Sequence, residues 1–316
     1  MASRKLEDRI EQLRQLRTHA AIADANTTLR KALTDRSNLI VAEAAKTATE
    51  LHLCELIPDL LMTFDRLFAE PLKSDPKYWG KTAIVRALAR LDYSESPPFL
   101  RGSKHVQMEP VWGGQEDSAV QLRVHSFLAL VQCTDVTRFE VLRHLVNAMN
   151  DPADPVRIEA VRAIHQLGGE ECSLLLRLKA RVGDRRPVII GHVFDALLDM
   201  ECDQAVPFVA EYLRSGDEAL RDEAALALGA SRLSGGLREL IETWKSIRSG
   251  GFSETLLRAI SSSRLSEAIE FLLDLLRNGT ARQSAAAADA LKLHEASPEI
   301  RTLIDEAKRN RSQAGV

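Results

Sequence analysis

Aromatic residues are scarce in this chain: Phe, Trp and Tyr together make up 5 % of 316 residues. That counts against a β-sandwich or barrel, whose strands draw on aromatic and β-branched side chains, whereas the apolar 45 % here is dominated by Leu and Ala. Cysteine is scarce as well. Cys54, Cys133, Cys172 and Cys202 lie far apart and form no CxxC pair, so no disulfide framework or zinc site is written in their spacing. Each stands among helical apolar residues and is expected as a buried, reduced thiol, which fits a reducing compartment. There is no excess of one charge: 42 basic against 45 acidic residues leave −3, which gives no drive toward nucleic acid or anionic lipid. No apolar run approaches the roughly 20 residues needed to cross a bilayer. The segment from Met1 to Ile22 is charged and amphipathic and lacks the apolar core of a secretory signal. A cytoplasmic protein without a membrane span is the expectation. The motifs GxxxxGK[ST], GxGxxG, HExxH and GxSxG are all absent, so nothing indicates a catalytic residue, a metal or a cofactor.

What the chain does have is a repeat. The clearest unit starts at Asp151, where Val156, Ala160, Ala163, Ile164 and Leu167 fall at i, i+4, i+7, i+8 and i+11, one apolar stripe on a helix. Asp154 and Pro155 suit a helix start, and Gly168-Gly169 ends the helix. A second apolar helix carries Leu174, Leu175, Leu176 and Leu178 and closes at Gly183. With Arg157 as marker, equivalents fall near Val41, Lys81, Gln121, Ile190, Arg221, Ser253 and Arg282. Six residues after the marker stand small residues such as Thr47, Ala87, Ala163, Ala196 and Ala227, with Phe127 as the exception. A helix pair of this length cannot cover its own apolar face and must stack on neighbours.

The segments Asp154-Pro155-Val156-Arg157-x-x-Ala160-x-x-Ala163-Ile164 and Leu220-Arg221-x-x-Ala224-x-x-Ala227-Leu228-Gly229 resemble the HEAT-repeat family, including its bacterial HEAT-like members. The resemblance covers about residues 37–295. It implies an all-α fold, a right-handed α-solenoid of about eight stacked helix pairs, with second helices lining a concave face. It also implies a polar ladder between repeats from Asp154, Arg157, Asp217, Arg221 and Arg282, interrupted where Val41, Gln121, Ile190 and Ser253 depart from the pattern. On this reading 1–36 are N-terminal capping helices, 37–295 the array, and 296–316 a C-terminal capping helix and tail. Fold of this kind fixes no function.

The array has one break, an irregular insertion at 93–119. Pro97-Pro98, Pro110 and Gly113-Gly114 forbid a continuous helix there, leaving a short turn near Phe99 to Lys104 and an extended stretch around Val106, Met108 and Pro110. Two readings stay open. In one, Arg101, His105, Gln107, Glu109 and Trp112 form an aromatic and polar binding site. Gly113 and Gly114 then bring backbone N–H groups close to a ligand, Asp117 caps the next helix and Arg123 stands near its start. In the other, the loop folds over an imperfect repeat and Trp112 plugs its core. HEAT-like deoxyhypusine hydroxylases carry several His-Glu dipeptides; this chain has one, His294-Glu295, which argues against that chemistry. HEAT-like alkylation-repair glycosylases rely on a basic face, and the best basic cluster here, Arg177, Lys179, Arg181, Arg185 and Arg186, sits at one helix end. Nothing marks the bilin binding of the lyases with similar repeats. The sequence therefore leads to a non-catalytic scaffold that binds a protein or peptide on its concave face through 93–119. A small-ligand or enzymatic use of 101–117, or weak nucleic-acid binding, stands as the alternative.

Overall fold

The computed structural model describes residues 2–19, 22–247 and 251–314. Among these the chain is all-α but for one two-stranded hairpin. It divides into two compact units, 1–166 and 167–316.

The first unit contains α1 (Ala2–His19), α2 (Ile22–Leu33), α3 (Asn38–Glu50), α4 (Ile57–Leu67), the single turn α5 (Pro71–Ser74), α6 (Trp79–Arg90) and α7 (Pro97–Ser103). The strands β1 (Met108–Val111) and β2 (Gly114–Asp117), then α8 (Val120–Leu130), α9 (Arg138–Ala148) and α10 (Asp154–Leu167), follow. Helices α1, α3, α6 and α8 pack in file, and α2 packs against α3 and α4. Their shared core is aliphatic: Leu33, Ile40, Val41, Leu60, Ile84 and Leu88 are fully buried or within a percent of it.

The second unit contains α11 (Glu170–Val182), α12 (Pro187–Glu201), α13 (Val206–Ala210), α14 (Glu218–Ala230), α15 (Ser234–Ser246), α16 (Gly251–Ser262), α17 (Ser266–Asn278), α18 (Ala281–Leu291) and α19 (Pro298–Ala314). Here α12, α14, α16 and α18 pack in file, α13 on α15, and α17 on α19. Ile189, Phe194, Leu228, Leu256, Ile260 and Leu272 form the core. Within each unit the helices thus repeat as first and second members of successive pairs.

Two devices set the repeat, and both act at the ends of the first helices. Asp35, Asp117, Asp151 and Asp184 each stand three residues before such a helix, and each carboxylate accepts the backbone N–H two residues on. Ser215 does the same before α14 with its hydroxyl. These turns satisfy N–H groups that a helix start leaves free. They also correct the register of the third repeat. Arg123, not Gln121, stands six residues after the aspartate, as Arg157 does after Asp151 and Lys81 after Asp75. The small residue six further on is then Ala129, and Phe127 ceases to be an exception.

The second device is a left-handed residue just past the helix C-terminus. Gly168 has φ +68°, and His52, Asp92, Arg232 and Arg264 take the same conformation at +52° to +57° without being glycine. The following amide then reaches back to the last turn, as in Leu53 N–H to Ala48 O and Tyr93 N–H to Leu88 O, both 3.0 Å.

The buried-thiol expectation fails for two cysteines. Cys172 is buried, but Cys54 and Cys202 are exposed because both open 3-10 turns after a first helix instead of facing the core. Burial of Cys133 pushes its thiol up to about 12.

The small positions let helices approach closely. On α14, a Cβ on Gly229 would lie 2.2 Å from the Ala259 carbonyl oxygen of α16. A helical Gly→Ala change ordinarily gains about 1 kcal/mol from propensity. Forced overpacking costs about 1–3 kcal/mol, and against a backbone oxygen it wins. Gly229→Ala is therefore expected to lower stability in urea unfolding, and a stabilised variant would show that α14 and α16 are not so closely packed.

Candidate functional site

The 93–119 segment is not irregular. Pro97 and Pro98 occupy the first turn of α7, where no N–H is needed and φ is already helical, so the prolines start a helix rather than forbid one. Phe99 is buried, and Gly102 lies so close to α8 that an added Cβ would stand 2.3 Å from the Ser126 hydroxyl. After α7 the chain forms the antiparallel hairpin β1–β2, pairing Met108 with Asp117, Glu109 with Glu116, Pro110 with Gln115 and Val111 with Gly114. Trp112 and Gly113 make the turn, and Gly113 supplies the φ of +90° that it requires.

The base of the hairpin is pinned by a continuous polar network. Asp75 and Lys81 are both completely buried and 3.2 Å apart. The Asp75 carboxylate also accepts the N–H groups of Gly80 and Lys81 and the Asn38 amide, each at 2.8 Å. The Lys81 ammonium lies 4.4 Å from the Tyr78 ring centre and 5.2 Å from that of Phe68. Gln107 donates its side-chain amide to Glu109 at 2.6 Å, and one Glu109 oxygen also accepts Lys77 N–H and Ser118 O–H, both at 2.8 Å. Asp117 accepts Gln107 N–H and Ala119 N–H, so it does prepare the start of α8. Arg123, 2 % exposed, donates to Asp117 at 2.7 Å, to the His105 carbonyl at 2.9 Å and to both Asp151 oxygens at 3.0 and 3.1 Å. Arg101 pairs with Asp65 at 2.6 Å and stacks 4.0 Å from the Phe68 ring centre.

The electrostatics follow from burial. Burial, with Asp75, Asp117 and Glu109 nearby, raises the Tyr78 hydroxyl and keeps it a neutral phenol. Burial lowers Lys81 while Asp75 opposes it. Burial raises Glu109, but its bonds from Gln107, Ser118 and Lys77 outweigh that and hold it below the usual carboxylate range. Burial, then the Lys81 and Arg101 cations, holds the His105 imidazole below its ordinary 6.5. Tyr78 Oη, His105 Nε2 and Gln107 Oε1 are buried without a protein hydrogen-bond partner among the described residues.

His105, Gln107, Glu109, Asp117 and Arg123 therefore come together, but facing inward; the charges of Glu109, Asp117 and Arg123 are spent on structural donors and acceptors, while His105 Nε2 and Gln107 Oε1 are left over. Arg101 reaches outward only as far as Asp65. Gly113 and Gly114 have nothing within 4 Å of a built Cβ, so their backbone lies in the open rather than against a site. Trp112 is not a plug: it is fully exposed, at 103 % of its reference area. Val106, Met108 and Val111 are each about half exposed as well (54, 45 and 46 %). Asp75, Tyr78 and Asp151 were not among the sequence candidates. The Asp-x5-Lys/Arg spacing at 75/81, 117/123 and 151/157 was the signal for two of them; none marked Tyr78.

The other charge clusters close on themselves in the same way. Arg123, which was not among the expected ladder residues, links Asp117 to Asp151. Arg157 bonds Asp154 at 2.7 Å and the carbonyls of Asp151 and Pro152 within its own repeat. Asp217 caps α14 through Ala219 and Leu220 N–H, while Arg221 turns to Glu218 and the Phe252 ring. Arg282 meets Glu254 only at 4.0 Å. In the basic cluster, Arg177, Lys179 and Arg181 are paired with Glu201, Asp184 and Glu211. His294 is buried against the Ser261 hydroxyl and carbonyl at 3.1 and 3.0 Å. No group of three His, Cys, Asp or Glu side chains is placed to hold a metal, and no helix is long and apolar enough to cross a membrane, among the described residues.

No family model matches the chain, and no curated protein matches it. Solved structures do. Human deoxyhypusine hydroxylase in complex with glycerol is 20 % identical over 82 % of this chain and 90 % of its own, with a TM-score of 0.31. A crystal structure of an engineered protein is 17 % identical over 90 % of this chain and 95 % of its own, with a TM-score of 0.21. At such scores neither protein's chemistry carries over.

Two outcomes test this anchor. Arg123→Ala leaves Asp117 and Asp151 facing each other without their cation, and is expected to cost about 3 kcal/mol in urea unfolding at neutral pH. An effect near zero would remove Arg123 from the anchor. Because the folded His105 titrates below 6.5, the unfolded chain binds the extra proton first as pH falls. Its contribution to stability is full above 6.5 and is lost below it. His105→Gln should flatten the fall of Tm on that acid side.

Proposed function

We propose that this chain is a non-catalytic scaffold that holds a protein or peptide partner through the Trp112 hairpin. The finer form of the reading is a HEAT-like right-handed α-solenoid. The observation that carries it is the contrast between the two ends of the hairpin. The base is fixed by buried ion pairs, while the tip offers a whole indole to solvent next to half-exposed Val111. An exposed Trp on a rigid support pays little ordering entropy on docking, and buried Trp side chains dominate interface energies.

The second helices support the same reading. Met62 on α4 and Phe139 on α9 are 65 and 68 % exposed. On α11, Leu174, Leu178 and Val182 form an i, i+4, i+8 stripe at 67, 59 and 76 %. An apolar face left in water at helical spacing suits a partner better than a reaction. The enzymatic reading of 101–117 loses Glu109 and Asp117 to the anchor and Arg101 to Asp65, and the nucleic-acid reading loses Arg177, Lys179 and Arg181 to carboxylates.

Trp112→Ala removes no internal contact of the anchor, so its stability should stay within about 0.5 kcal/mol of wild type. Capture from a lysate of the native host should nevertheless lose the partner held by the wild type. If every captured protein is retained equally by the variant, the hairpin is not the docking element.

A further inference from the structure

The first unit holds a second candidate site on the opposite kind of surface, the first helices. A groove of about 420 Å³ runs between α1, α3 and α6. That is within the range of specific ligand sites, about 300–1,000 Å³. Its floor is aliphatic, from Ile10, Leu39, Ala42, Ala83 and Ala87. Trp79, 51 % exposed, stands at one end on the first turn of α6. Its position is fixed, because Lys77 and Tyr78 before it are left-handed (φ +59° each) and Asp75 holds the N–H groups after it. Ala83, Arg86 and Arg90 continue the Trp79 stripe at i+4, i+7 and i+11.

The charges of the groove do not balance. Arg14, Lys46, Arg86 and Arg90 line it against Glu43 and Glu50. Both carboxylates are already occupied: Glu43 by Arg14 and Arg17, Glu50 by Arg17 and Lys46. Arg86 and Arg90 are exposed and have no hydrogen bond or ion pair among the described residues. Two like charges one turn apart on a helix repel each other. In a chain of net charge −3, this is a local cationic excess over an apolar floor, with an aromatic wall beside it.

We infer that this groove binds a short acidic peptide segment. Its bulky apolar side chain rests on the floor against Trp79, and two carboxylates pair with Arg86 and Arg90. From Trp79 to Arg90 the stripe is about 16 Å long at 1.5 Å per residue. An extended segment of about five residues at 3.3 Å each matches that length. The aliphatic floor asks for more than a bare carboxylate. A nucleic-acid strand carries no aliphatic side chain to lay on that floor.

Panning a library of random displayed peptides on the full chain tests this. Enrichment is expected in peptides carrying paired Asp or Glu with Leu, Phe or Trp. Binding of the selected peptides should weaken about tenfold or more in an Arg86→Glu, Arg90→Glu variant, the loss of two ion pairs at up to about 1 kcal/mol each. It should also weaken with added salt and stay unchanged in Trp112→Ala, which separates this site from the hairpin. Both arginines lie in solvent, so an unaltered far-UV spectrum and Tm in the double variant certify the fold. Selected peptides without acidic enrichment, or equal binding to the double variant, overturn the inference. Displacement of the peptides by a single-stranded oligonucleotide overturns it as well.

Discussion

The structure depends most on how the free N–H groups and charges at the start of each first helix are satisfied. A helix begins with four amides lacking an intrahelical partner, and burying them against a neighbouring pair makes each one costly unless it is bonded. This chain answers with an aspartate placed just ahead of the helix, repeated at 35, 117, 151 and 184. At Asp75 the solution is deepest, since one carboxylate collects two backbone amides, an asparagine and a lysine. Arg123 then ties the aspartate of its own repeat to that of the next, so satisfying one helix start also sets the spacing of two repeats.

This constraint decides which parts of the 93–119 segment are available for binding. A buried ion pair gains little over an apolar replacement but is expensive to break, so it resists being lent to a ligand. His105, Glu109, Asp117 and Arg123 are therefore poor candidates for chemistry although they cluster. What remains exposed on the hairpin includes its large apolar side chains. Trp112, Met108 and Val111 lie in water on a hairpin that two strands alone would not hold rigid. On the proposed reading the anchor supplies the rigidity and the tip the contact area.

Much of this was legible in the sequence. The helix pairs, their period and the small packing positions follow from apolar spacing. Legibility failed where a signal was shared by two registers or carried by an unusual residue. Gln121 and Arg123 both sit near the expected marker, and only the turn at Asp117 decides between them. Pro97-Pro98 reads as a break when helix interiors are considered and as a start when first turns are. The left-handed positions were visible at Gly168 and hidden at His52, Asp92, Arg232 and Arg264, because helix packing there overrides the residue's own preference. Trp112 inside or outside the core was undecidable from sequence, since a large aromatic suits either; the short β1–β2 turn places it at the tip, beyond the reach of the core.

The charge balance shows the same limit from another side. A net charge of −3 averages over pairs that cancel locally and over groups that do not. The cluster that looked most basic in sequence, around Arg177 to Arg186, meets Glu201, Asp184 and Glu211 in three dimensions, whereas Arg86 and Arg90, in a helix of ordinary composition, make no ion pair among the described residues. Helical periodicity explains the reversal. Carboxylates from a neighbouring helix or turn reach the end of α11, while the outer stripe of α6 borders helices whose acids are already engaged. Which charges stay available on this chain is therefore set by which ion pairs the repeat leaves incomplete, a property of stacking and not of composition.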